Sequence, residues 1–142
     1  VLPHNFHDWY VVRYEHRCSE RLFILDVDPP EGGSGSPMRL TFQGVAAIDI
    51  DSPWAGNIVL DVTRHEWGPA LEGQQDRIVE VLDPQVVPLK YGQPESFADL
   101  LEILRRTQLK YFEICTSYGL AGWIIAEQAS ASARPVALET TL

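Results

Sequence analysis

The run Arg21-Leu22-Phe23-Ile24-Leu25-Asp26-Val27 is apolar on both of its alternating faces, and a proline- and glycine-rich stretch, Pro29 through Pro37, follows it closely. A short apolar run of that kind suits a central strand covered on both sides. Proline and glycine at that density cannot continue a ladder, so the chain must leave the sheet in a loop or hairpin tip before pairing again. It resumes directly with Met38-Arg39-Leu40-Thr41-Phe42-Gln43, where apolar and polar residues alternate as in a half-buried strand. A chain constrained in this way builds a sheet.

The rest of the sequence repeats the pattern. Residues 8–17 read as the first strand, with Trp9, Val11, Arg13 and Glu15 on one face and Tyr10, Val12, Tyr14 and His16 on the other. Gly44 marks a bulge or sharp bend before a strand at 45–50. Further strands are expected at 58–65, 77–82, 109–116 and 120–126, the last two flanking a hairpin turn at Ser117-Tyr118-Gly119. Helix signals gather in one place: Phe97, Leu100, Leu101 and Leu104 form one apolar stripe. Ser96 followed three residues later by Asp99 marks the start, and Arg105-Arg106 complement the dipole at the end, which gives a helix over 95–107. The expected fold is α+β, mainly β: an antiparallel β-sandwich or open barrel of seven to eight strands with one late α-helix. Residues 1–128 form a single globular domain, and the small, polar residues 129–142 read as a frayed tail.

Length and charge narrow the function classes. One domain of 142 residues can bury a core without metals or disulfides. A formal charge of −9 has the wrong sign for nucleic acid or an anionic membrane surface, and no apolar run approaches the ~20 residues of a membrane span. The same charge favours solubility and would steer a basic protein partner inward. Cys18 and Cys115 lie far apart, in no metal-type spacing, and read as buried free thiols in strand-like segments. No charged-apolar-small leader opens the sequence, and the composition reads as cytoplasmic.

Three groups of residues carry possible chemistry. His4, His7 and Asp8 offer imidazole and carboxylate ligands suited to zinc or another divalent metal. Their spacing precedes a strand and not a helix, so local structure does not enforce metal geometry; an Asp8-capped turn leading into strand one is the preferred reading. His65-Glu66 could supply a general base, but adjacent strand residues point to opposite faces. Asp26, Asp28, Asp49, Asp51 and Asp61 have the oxygen chemistry for calcium or magnesium, without a twelve-residue calcium loop. No nucleophile elbow, phosphate loop, dinucleotide fingerprint or C-x-x-C pair is found, and no cofactor is implied. Trp54 and Trp67 sit in glycine/proline loops, and Tyr118 sits in a hairpin turn. Exposed, such aromatics anchor protein interfaces; folded back, they plug a sheet end.

Phe6-His7-Asp8 leading into a strand, Leu40-Thr41-Phe42-Gln43-Gly44, and a closing hairpin around Gly119 together resemble a group of small, mainly β bacterial proteins of unknown function. Some of that group are classed as immunity proteins of polymorphic toxin systems. Acidic charge, loop aromatics and the absence of a catalytic motif, together with this resemblance, lead to the expectation of a non-enzymatic, soluble interaction domain that binds another protein, such as a basic toxin. The alternative is a metal-dependent or small-ligand-binding enzyme using His4, His7 and Asp8. A homodimer formed by pairing exposed sheet edges is a third expectation.

Overall fold

The computed structural model describes residues 6, 8–32, 35–51, 58–68, 71, 73–82, 96–116 and 121–135. Eight strands and two helices follow in the order β1 (Trp9–Arg17), β2 (Leu22–Asp28), β3 (Met38–Gln43), β4 (Ala47–Asp51), β5 (Ile58–His65), α1 (Gln75–Val81), α2 (Phe97–Arg105), β6 (Lys110–Thr116), β7 (Ala121–Ala126) and β8 (Gln128–Ala133). All pairings are antiparallel, in the order β4-β7-β6-β5-β1-β2-β3-β8. The β5–β1 junction is short, Trp9–Val11 against Ile58–Leu60, and there the ladder folds into two four-stranded sheets that face each other.

On the opposite side the two sheets share strands. β3 runs on into β4 through Gly44, Val45 and Ala46, and β7 runs on into β8 through Glu127. Gln43 pairs with Gln128 and Ala47 with Ile125, so one strand carries one more residue than its partner across the corner. The Glu127 N–H donates to the carbonyls of both Gln43 and Gly44, at 3.0 and 3.3 Å. This is a β-bulge, which bends a two-stranded ribbon from one sheet into the other. Gly44 sits there at φ 66°, where the absence of a Cβ removes the strain. The result is the expected mainly-β sandwich or open barrel.

Two cores result. The inner one lies between the sheets and is built on Phe23, Leu25, Val27, Leu40, Phe42, Phe112, Ile114 and Ile124. Phe42 and Phe112 meet edge to face at 5.3 Å, joining the two sheets. The outer core lies between the helices and the β6–β7 surface: Ile78, Leu82, Leu100, Leu101 and Leu104 close over Tyr111, Trp123 and Ile125. The α2 stripe is the one its spacing predicts, and the Ser96 hydroxyl accepts the Asp99 N–H at 3.2 Å.

Three expectations are corrected. Arg77–Leu82 belongs to α1 and its end, and is not a strand. Its alternation also places Ile78 and Leu82 one helical turn apart, and their burial under the helical layer decides between the two periods. Two helices accordingly occur among the described residues. Residues 129–133, expected as part of a frayed tail, belong to β8, which pairs with β3 residue by residue from Gln43–Gln128 to Met38–Ala133. Both cysteines are exposed: Cys18 lies in the β1–β2 turn and Cys115 on the outward side of β6.

Candidate functional site

The outer face of β1-β2-β3-β8 carries the most organised polar cluster among the described residues. β1 bulges between Val11 and Arg13, which resets its register and sets Arg13 opposite Asp26. Asp26 in turn pairs with Arg39, and Arg39 with Ser132. Side chains directly opposite on neighbouring strands share a face, so Arg13, Asp26, Arg39 and Ser132 form one row across four strands.

Asp26 is only 4% exposed. Arg39 grips it at both oxygens, Nε to Oδ1 at 2.8 Å and Nη2 to Oδ2 at 3.1 Å, and Arg13 Nη1 adds a 3.5 Å contact. Burial pushes the Asp26 carboxyl up, but the hydrogen bonds and charges of Arg39 and then Arg13 outweigh it and hold the group below its ordinary value. Glu15 accepts from Arg17 Nε at 2.8 Å and Arg13 Nη2 at 2.9 Å, and these two arginines lower its pKa, Arg17 most. Arg134, just past β8, donates through Nη2 to Asp28 at 2.7 Å, while its backbone N–H donates to the Pro37 carbonyl at 3.1 Å. An open groove of about 770 Å³ lies over this network. Four guanidiniums (Arg13, Arg17, Arg39, Arg134) line it against two carboxylates, Glu15 and Asp26. Arginines fixed by carboxylates behind them are pre-set to meet a further carboxylate or other oxyanion.

β8 forms one rim of this face. It pairs with β3 on one side, and among the described residues no strand pairs with the other. The Arg134–Pro37 bond continues the β3–β8 register, so in an antiparallel ladder the pairs 132–39, 130–41 and 128–43 are the hydrogen-bonded ones. The backbone groups of Ala129, Ala131 and Ala133 therefore point to the unpaired edge. This edge, Gln-Ala-Ser-Ala-Ser-Ala, carries no charge and no proline, the usual guards of an exposed strand.

His4, His7, Trp54 and Tyr118 lie outside the described residues. Asp8 is exposed at φ 66°, in a turn closed by the Trp9 N–H on the Phe6 carbonyl at 3.1 Å. Trp67 is half-buried against Tyr111, its indole N–H on the Leu109 carbonyl at 3.2 Å. His65 turns from Glu66 toward Glu113 on β6, 3.6 Å away, and burial pushes the neighbouring Tyr111 phenol up to about 12. No group of three metal-ligating side chains occurs among the described residues, and no helix among them is long and apolar enough to cross a membrane. Sequence reasoning missed the Arg13–Asp26–Arg39 row. Its signal was Asp26, an acid set between apolar residues in the run Leu22–Val27.

Comparison with protein-family models, with curated proteins and with solved structures found no match.

Proposed function

We propose that this chain is a non-enzymatic domain that binds another protein, and that β8 is where the partner docks. The observation that carries this reading is the β8 edge: six uncharged residues with a row of backbone donors and acceptors on the side away from β3. Strand addition to such an edge draws affinity from main-chain hydrogen bonds and specificity from alternate side chains.

Charge supports a basic partner. In the sequence, positions 44–127 hold thirteen acidic and six basic residues, whereas the remaining positions hold seven and five. A net charge of −9 steers a basic protein inward from a distance. Neutralising a basic toxin, as the resemblance to immunity proteins implies, is the form of this function we favour.

The test is capture from the source cell by the wild-type domain and by Ala131→Pro. Proline at a strand edge is tolerated where its nitrogen faces solvent. The expected result is a saturable, basic partner retained by the wild type and lost by the variant at unchanged fold. Equal retention by both, or no saturable partner, overturns the proposal.

A further inference from the structure

We infer that the partner segment added to β8 is an amphipathic strand with apolar side chains on one face and a carboxylate on the other, beside Ser132. This rests on β8 being the docking edge. A strand laid along β8 continues both faces of its sheet. On the inner face it would follow Ala129 and Ala131, which are half-buried and pack against the inner core. Their methyl groups leave the end of that core low and apolar, and side chains such as valine or leucine would extend it. On the outer face the new strand would follow Ser130 and Ser132, both exposed.

The outer row ends Arg13, Asp26, Arg39, Ser132. The next position in that row belongs to the partner. Serine is short, so a longer side chain there reaches over it toward the groove, where Arg39 and Arg134 sit. Arg39 spends its Nε and Nη2 on Asp26, and Arg134 its Nη2 on Asp28. Asp28 and Glu20 bring the carboxylates to the same number as the four arginines, but Arg134 Nη1 has no hydrogen-bond partner among the described residues, so the groove offers a donor to a glutamate or aspartate and no matching acceptor to a lysine. The partner is therefore electrically bipolar. Its body is basic and is drawn by the net negative charge of this chain, while the strand it presents to β8 carries acid on the groove side.

The experiment uses the full 142-residue chain and two blocked heptapeptides, Val-Glu-Val-Thr-Val-Glu-Val and the same with lysine for glutamate. Amide shifts of Ala129, Ala131 and Ala133 report edge pairing, and their titration reports affinity. The acidic peptide is expected to bind about tenfold more tightly than the basic one, a difference that shrinks with added salt. Ser132→Asp places a like charge beside the groove on an exposed position and is expected to weaken the acidic peptide about fivefold while sparing the basic one. Ala131→Pro is expected to abolish the shifts for both.

Equal or tighter binding of the lysine peptide overturns the charge pattern and leaves strand addition standing. Shifts confined to residues away from β8 overturn the docking edge itself, and so does the absence of binding by either peptide. A wild-type dimer in light scattering that Ala131→Pro makes monomeric would assign the edge to a second copy and overturn the acidic strand.

Discussion

The two sheets share an inner core and differ in what covers their outer faces. β4-β7-β6-β5 carries α1 and α2 on its outside, and Leu100, Leu104 and Ile78 are sealed there against Tyr111, Trp123 and Ile125. β1-β2-β3-β8 has no such layer among the described residues; its outside is a lattice of arginines and carboxylates over a single buried acid. An apolar outer face must be covered from within the chain, whereas a charged one is stable in water and stays open to another molecule. The difference separates a sheet whose outer face is sealed by helices from one whose described outer face stays open to solvent.

The hardest blow to both sheets together is Phe42→Ala, which empties the point where the halves meet. Phe42 is fully buried between Phe23 and Phe112, so the variant is expected to lose about 3–5 kcal/mol in urea unfolding, with all probes shifting together. Leu104→Ala strikes the helical layer alone. A loss of about 2–4 kcal/mol is expected, with hydrogen exchange rising first in α1 and α2 and later in β2 and β3. If β2 and β3 lose protection at the same moment, the outer core is no separable layer and the contrast between the sheets fails.

Asp26→Asn tests the open sheet. The expected cost is about 1–3 kcal/mol near neutral pH, because Arg39 loses a charge-assisted bidentate contact. The folded carboxyl titrates below its ordinary value, so its stabilisation is complete above the unfolded pKa of about 4 and is lost as pH falls through the depressed folded value. The gap between wild type and variant should therefore close in acid; a gap constant from pH 7 to pH 2 would refute the assignment. Smallest is Ser96→Ala, which removes the α2 cap for about 1 kcal/mol and should leave the groove's chemical shifts unmoved.

Much of the fold was legible because seven of the eight described strands announce themselves by alternation or, in β2, by a short run apolar on both faces, and α2 by its stripe and cap. β8 does not. Alanine and serine have little strand preference, and the segment is a strand because β3 pairs with it along its whole length. Arg77–Leu82 fails for the opposite reason: six residues of mixed apolar character fit either period, and only the helical layer's burial chooses. The site was less legible still. Nothing local joins Arg13, Asp26 and Arg39; the register of three strands and the β1 bulge do, and register is a property of the assembled sheet.

β8 meets β3 across a wide span of chain, with Gln43 and Gln128 separated by 85 positions. During synthesis from the N-terminus, β1, β2 and β3 can form their hairpins long before β8 leaves the ribosome. Until then the outermost strand of that sheet is Met38-Arg39-Leu40-Thr41-Phe42-Gln43, with the core residues Leu40 and Phe42 at an unpaired border. β8, arriving later, therefore does two jobs at once: it shields an aggregation-prone border in the nascent chain and replaces it with a gentler one of alanine and serine.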